Sequence, residues 1–153
     1  MSAASSRWHP LKPIISWLMV LIMLKISFAS TEPDIEGEAL IDLLTALNDS
    51  NGRIEWNNHF VSPCFSWAHV TCRNGNVISL SLASNGFSGT LSPSIVKLKY
   101  LSSLVLKGND ISGDIPDSLS NITGLTELDL SFNDLAGKIP MQLFTVPTFK
   151  YVS

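Results

Sequence analysis

Basic side chains are scarce in this sequence. Of its 153 residues, 10 are lysine or arginine and 13 are aspartate or glutamate, so the formal net charge is −3. A chain with this balance and no basic cluster has no electrostatic attraction to a phosphate backbone or an anionic lipid surface. We therefore expect no nucleic acid partner and no direct membrane partner. A hydrophobic content of 45% with 15% charged residues favours one packed domain over disorder.

Apolar runs long enough to cross a membrane are also missing, because a spanning helix needs about 20 consecutive apolar residues. The run from Ile14 to Leu24 ends at Lys25. Two basic residues precede it and the small-x-small sequence Ser27-Phe28-Ala29 follows, which is the layout of a secretory signal peptide. We predict a signal peptide over residues 1–29, with retention as a membrane anchor as the alternative. Its removal would leave 7 basic and 13 acidic residues, a formal charge of −6.

Cysteine occurs only twice, at Cys64 and Cys72. Both follow the predicted signal peptide, and secretion leads to an oxidising compartment, so we predict a disulfide between them. The competing interpretation is a metal site, which needs further ligands. The three histidines, His9, His59 and His69, do not have ligand spacing, and we expect neither a metal nor a cofactor.

An internal repeat occupies residues 77–148, where three lines of 24 residues match position by position. The lines begin at Val77, Leu101 and Leu125. The shared positions are Leu80, Leu104 and Leu128; Leu82, Leu106 and Leu130; Asn85, Asn109 and Asn133; and Gly89, Gly113 and Gly137. This is the leucine-rich-repeat pattern L-x-x-L-x-L-x-x-N. It predicts an α/β solenoid, a short right-handed array of three 24-residue repeats.

Each repeated position has a physical role in this prediction. The two leucines belong to a short strand and point to a shared core, while the residues between them face outward. The asparagine lies where the chain turns, and its amide can bond backbone groups that no regular ladder reaches. The glycine permits a bend, and Pro116 and Pro140 fix an extended return path, so we expect little α-helix behind the strands.

The residues before the repeats, 30–76, are predicted to form an N-terminal cap. Leucines 40, 43, 44 and 47 have the spacing of an amphipathic helix, which we predict over Glu36–Asn48. Trp56, Trp67 and the cysteine pair follow as a compact cluster that can cover the first core layer. Residues 149–153 begin a further unit or a C-terminal cap.

The segment Pro63–Cys72 resembles the cap that precedes the repeats in plant receptor-like kinases. The stretches from Asn109 to Pro116 and from Asn133 to Pro140 resemble the plant class of repeat, N-x-x-S-G-x-I-P. Together with Asn76–Pro93, these features resemble the family that contains the somatic embryogenesis receptor kinases, across about residues 36–150. The resemblance implies a co-receptor ectodomain that packs against a larger, ligand-loaded receptor. The chain departs from that family in having fewer repeats and no transmembrane or kinase part, so we expect a truncated form.

Outward-facing strand positions are the candidate partner-binding residues, since solenoids of this class present extended concave surfaces. Phe132 and Lys107 rank first, because an exposed aromatic ring or a long cation can anchor an interface. The predicted set is Ser81, Val105, Lys107, Glu127, Asp129 and Phe132. A solvated polar face is the simpler alternative for the small members.

No residues with the arrangement of a nucleophile, a base or a proton donor were found, so we expect a protein that is not an enzyme. Asn48-Asp49-Ser50 and Asn121-Ile122-Thr123 are N-glycosylation sequons, which matter if the chain is secreted. Asn48 and Asn121 are the predicted glycan carriers.

The leading functional hypothesis is a secreted or cell-surface module that recognises a receptor ectodomain or a peptide. It would meet a membrane only through a partner, unless the signal segment is retained. Inhibition of a pectin-degrading enzyme is one alternative, suggested by similar plant proteins, although those have longer arrays. A receptor-kinase fragment without a role of its own is the other.

Overall fold

The computed structural model describes residues 34–56 and 62–152. The predicted signal peptide, residues 1–29, lies outside these ranges, as do His9 and His59. Within the described ranges, no helix combines the length and the apolar character needed to cross a bilayer.

Helix α1 spans Ile35–Ala46, close to the predicted Glu36–Asn48. It begins at Asp34, whose side chain accepts a hydrogen bond from the Gly37 N–H at 2.9 Å, as an N-cap residue does. The helix ends two residues earlier than predicted because Asn48 has φ +53°, a left-handed conformation that stops a helix. The predicted apolar positions form its buried side, with Leu40, Leu43 and Leu47 fully buried and Leu44 partly so.

Five strands form the main sheet: Val70–Arg73 (β1), Asn76–Ser81 (β2), Ser103–Val105 (β3), Glu127–Asp129 (β5) and Tyr151–Val152 (β7). Their order across the sheet is β1-β2-β3-β5-β7. Strands β2, β3, β5 and β7 run parallel, and each pair from β2 to β5 aligns residues 24 apart, such as Leu80, Leu104 and Leu128. Strand β1 is antiparallel to β2 and was not predicted. The hairpin between them turns at Asn74-Gly75, both with positive φ, and Asn-Gly is the strongest sequence signal for such a turn.

Behind the sheet, the chain returns through three 3₁₀ helices, Pro93–Lys97, Asp117–Asn121 and Met141–Thr145. Strands β4 (Ser112–Asp114) and β6 (Asp134–Ala136) form a second, two-stranded sheet. Short helix α2 (Pro63–Ser66) lies in the cap. The buried leucines and isoleucines of the strands and of the 3₁₀ helices form one continuous core with α1, Trp56 and Trp67.

Asparagine side chains join successive strands at one end of the sheet. The Asn109 Oδ1 accepts hydrogen bonds from the Asn85 and Phe87 N–H groups, at 2.9 and 3.2 Å. Its Nδ2 donates to the Leu82 and Leu106 carbonyls, at 3.0 and 2.7 Å. Asn133 repeats this role one step later, accepting from the Ile111 N–H and donating to the Leu106 and Leu130 carbonyls. The side chains therefore satisfy buried backbone groups, as the repeat pattern predicts.

The three repeated glycines do not have one shared role. Gly113 and Gly137 adopt φ +79° and +81°, where a side chain would be strained. Gly89 has no positive φ, but a Cβ there would lie 1.8 Å from the Ala46 carbonyl oxygen at the end of α1. The N–H groups of Gly89 and Thr90 donate to the Leu47 and Ala46 carbonyls, so the first repeat line receives the C-terminus of the helix at close range.

Candidate protein-binding face

One side of the main sheet carries exposed or partly buried side chains, in contrast to the buried leucines of the other side, and we call it the outer sheet face. It consists of two sets of side chains. The first alternates with the buried leucines along β2, β3 and β5, and the second belongs to the turns that follow these strands. The six predicted binding residues all lie on this face: Ser81, Lys107 and Phe132 are exposed, and Val105, Glu127 and Asp129 are partly buried. In register, Ser81, Val105 and Asp129 lie side by side on neighbouring strands.

Lys107 and Phe132 are in direct contact. The Lys107 Nζ lies 5.3 Å from the centroid of the Phe132 ring, within the range of a cation–π interaction. The Phe132 side chain is nevertheless 77% exposed. Sequence reasoning ranked these two residues first but could not foresee that they touch.

Phe132 also has an unusual backbone. Ser84, Gly108 and Phe132 occupy the same position of successive repeat lines and have φ +56°, +70° and +55°. Glycine suits this left-handed conformation, whereas a bulky residue there is a genuine outlier. An aromatic ring that is exposed, and held at a position where it costs backbone energy, marks a functional candidate.

Two carboxylates, those of Glu127 and Asp129, lie on β5. The Ser103 hydroxyl donates to Glu127 Oε2 at 2.7 Å. The Ser131 N–H and hydroxyl donate to Asp129 Oδ1 at 3.1 and 2.6 Å. One oxygen of each carboxylate therefore accepts hydrogen bonds from a neighbouring serine, and these bonds fix the orientation of the group.

The cap cluster is structural. Cys64 and Cys72 form the predicted disulfide, with Cα atoms 5.5 Å apart. The Trp56 and Trp67 rings stack with centroids 5.3 Å apart, both are buried, and the Trp56 Nε1–H donates to the Ala68 carbonyl at 3.0 Å. His69 is exposed, with φ +70°. Phe65, next to the disulfide, is 85% exposed and was not singled out from the sequence, because it belongs to no repeated pattern.

The two sequons differ in their surroundings. Asn121 is the last residue of the second 3₁₀ helix and its side chain is exposed. Asn48 is exposed as well, but its Nδ2 donates to the Ser88 hydroxyl at 3.0 Å. Burial is therefore no obstacle to modification at Asn48, although its amide has a structural hydrogen bond.

The paired acidic, histidine and cysteine side chains that a metal site or a catalytic site needs are scarce in the described residues. Among residues 34–56 and 62–152, no group of three histidine, cysteine or acidic side chains could hold a metal ion. Burial raises the pKa of the Glu36 carboxyl above its ordinary value, a hydrogen bond from the Val77 N–H opposes the rise, and the charge of Asp34 adds to it. The Val77 contact, at 2.9 Å, ties α1 to the start of β2.

Comparison with known proteins agrees with this geometry. The family model for the leucine-rich-repeat N-terminal domain matches residues 33–73, and the model for the leucine-rich repeat matches residues 76–135. A probable leucine-rich-repeat receptor-like serine/threonine-protein kinase of Arabidopsis thaliana is 53% identical over 95 residues, which are 62% of this chain and 16% of that protein. The receptor kinase SERK2 of Oryza sativa is 43% identical over 89 residues, 56% of this chain and 14% of that protein.

Among solved structures, a chain in the crystal structure of the BIR3–SERK2 complex from Arabidopsis thaliana is similar, with a TM-score of 0.66 and 35% identity. The match covers 72% of this chain and 63% of that one. The chain spans about one sixth of the length of the receptor kinases named above. The cap of this chain thus matches the leucine-rich-repeat N-terminal domain, its repeats match the leucine-rich repeat, and the chain is similar to one part of plant leucine-rich-repeat receptor-like kinases.

Proposed function

We propose that this chain is a protein-recognition module that binds a receptor ectodomain or a peptide through its outer sheet face. The observation that carries the proposal is Phe132, an exposed aromatic ring at a left-handed position, in contact with Lys107. Aromatic residues and long cations are typical anchors of protein interfaces. Ser81, Val105, Glu127 and Asp129 would surround this anchor.

The solved relatives support a protein partner, since BIR3 and SERK2 form a complex with each other. By analogy, we propose a role like that of a somatic embryogenesis receptor kinase co-receptor ectodomain. This analogy rests on the fold and on the family, so the identity of the partner is left to experiment.

The same proposal includes an organisation for the chain. Residues 1–29 act as a signal peptide, residues 30–76 as the cap, and residues 77–148 as three 24-residue repeats. Residues 149–153 begin a further unit or a C-terminal cap. The protein functions outside the cell, carries N-linked glycans at Asn48 and Asn121, and has no catalytic activity of its own. Parallel strand pairs that join residues 24 apart support the repeat length.

The test is a pairwise binding screen of the full chain, secreted from a eukaryotic host, against purified plant receptor-kinase ectodomains by surface plasmon resonance. We expect saturable binding to at least one ectodomain. Phe132→Ser and Lys107→Ala should each weaken it by about tenfold, as loss of an interface anchor does.

Tyr100→Ser is the matched control, because Tyr100 is a 61% exposed aromatic in the turn before β3, away from the outer sheet face. It should leave the affinity unchanged. Binding that survives both Phe132→Ser and Lys107→Ala would show that the partner uses another surface.

A further inference from the structure

We propose that the outer sheet face takes an extended segment of its protein partner that carries an arginine or lysine side chain, and that this cation binds between Glu127 and Asp129. The inference rests on the proposed function, which assigns this face to protein binding. It adds the chemistry of the partner.

Charge complementarity is the first argument. The only cation among the six residues of the proposed face is Lys107, and it lies over the Phe132 ring. In residues 34–56 and 62–152 the one ion pair joins Lys97 to Asp42, so neither Glu127 nor Asp129 has a cation within 4.0 Å there. The two carboxylates therefore leave negative charge on a surface that a basic partner group would neutralise.

The carboxylates are also oriented in advance. Glu127 Oε2 and Asp129 Oδ1 accept hydrogen bonds from Ser103 and Ser131, while Glu127 Oε1 and Asp129 Oδ2 receive none from the side chains that the structure describes, which do not include that of Tyr151. Each group thus keeps one oxygen available and loses little side-chain freedom when a partner binds. Both residues are partly buried, which reduces the screening of a new ion pair by solvent.

The spacing suits a single long cation. Glu127 and Asp129 are two residues apart on one strand, so they face the same side with Cα atoms about 7 Å apart. A guanidinium has donors on opposite edges and can reach both carboxylates, and an ammonium can bind either one. An acidic segment would be repelled at the same place.

Small side chains next to the carboxylates explain why the segment would be extended. Ser79 and Ser81 on β2 and Ser103 on β3 carry only hydroxymethyl groups, so a partner backbone can approach the sheet closely there. On the other side, the exposed ring of Phe132 gives the aliphatic part of the partner side chain an apolar surface.

The experiment pans the secreted full chain against a phage-displayed library of random linear peptides. Enriched peptides are synthesised, and their affinities are measured for the wild type, for Phe132→Ser, and for the double variant Glu127→Gln, Asp129→Asn. The double variant keeps carbonyl oxygens that can accept from Ser103 and Ser131, and its melting temperature checks that the fold is intact.

We expect enriched peptides to share an arginine or lysine. Replacing that residue with neutral citrulline or glutamine should weaken binding to the wild type by about tenfold, the value of one charge-assisted contact, and should have no effect on the double variant. Peptides that need Phe132 but bind equally well without a cation would overturn the inference and leave the proposed function standing. If no peptide depends on Phe132, the face itself is wrongly assigned and both proposals fail.

Discussion

The inner and outer sides of the main sheet follow different rules. On the inner side, each 24-residue step brings back an apolar residue, often the same one, as with Leu80, Leu104 and Leu128, all fully buried. On the outer side, the chemical character of the residues changes along the sheet, from Ser81 to Val105 to Asp129 and from Ser79 and Ser103 to Glu127. The inner side must fit a buried apolar neighbour, whereas the outer residues are exposed or partly buried and have no such constraint in the described structure. The repeated inner residues therefore stabilise the fold, and the varied outer residues are the ones that can distinguish one protein partner from another.

The largest effect that can test this contrast is expected at Asn109, a repeated inner residue that is only 5% exposed. Asn109→Ala leaves two backbone N–H groups and the Leu82 carbonyl without their side-chain partner, while the Leu106 carbonyl still accepts from Asn133. We expect the free energy of unfolding to fall by about 3 kcal/mol. Water that enters the space left by the side chain would hydrogen-bond some of the unpaired backbone groups and limit the loss. Urea unfolding followed by circular dichroism measures it.

Asn85→Ala is the matched control for that change. Asn85 occupies the same repeat position, but its side chain makes one hydrogen bond, to the Ala83 carbonyl. The expected loss is about 1 kcal/mol. Equal losses in the two variants would mean that the neighbouring strands, and not the asparagine bridges, determine the stability at this end of the sheet.

A smaller effect, of opposite sign, is expected on the outer side at Phe132. Phe132→Asn relieves a left-handed strain of about 1–2 kcal/mol, because asparagine tolerates this conformation. The lost contact with Lys107 offsets about 0.5–1 kcal/mol of that gain. We expect a net stabilisation of about 0.5–1 kcal/mol, read from the shift in the urea midpoint. A clearly less stable variant would place Phe132 with the structural residues and weaken the contrast between the two sides.

The smallest effect concerns Glu36, where α1 meets the edge of β2. Burial raises the pKa of Glu36 above its ordinary value of 4.5, so just above that pH the folded protein keeps a proton that the unfolded chain has released. Stability contributed by this group is therefore lost as the pH rises from 4.5 through the raised pKa. Glu36→Gln keeps an oxygen for the Val77 N–H and removes the charge. Its melting temperature should lack this pH dependence, and identical profiles for variant and wild type would contradict the prediction.

Much of the fold could be predicted because repetition leaves a direct trace in the sequence. The 24-residue spacing located the strands, the asparagine bridges and the inner leucines, and the heptad-like spacing of Leu40, Leu43 and Leu47 located α1. The sequence prediction for the cap does not include strand β1. Asn74-Gly75 signals the hairpin turn after this strand, but the prediction for the part of the cap after α1 rests on the tryptophan and cysteine cluster alone. The signal peptide and the two sequons remain predictions.

The candidate face was harder to predict in detail. Its outward positions follow from strand alternation, but contacts between different residue types, such as Lys107 with Phe132, occur once and create no pattern. The left-handed φ of Phe132 is hidden for the same reason, since the equivalent residues Ser84 and Gly108 accept that conformation with less strain or none. Contacts and backbone angles that depend on a single non-repeated residue can therefore be found only from the three-dimensional structure.

Gly89 has a consequence for how such arrays can lengthen during evolution. A Cβ at this position would collide with the Ala46 carbonyl, so the first line is shaped to meet a helix end and not another repeat. Gly113, by contrast, has only the Thr90 side chain of the preceding line as a neighbour, at an ordinary distance. A unit inserted between the cap and the first line would need glycine at the position of Gly89 to meet the helix end, whereas a unit inserted after the first line meets only other lines. New units are therefore expected to enter by gene duplication beyond the first line, and the junction with the cap should stay fixed while the array changes length.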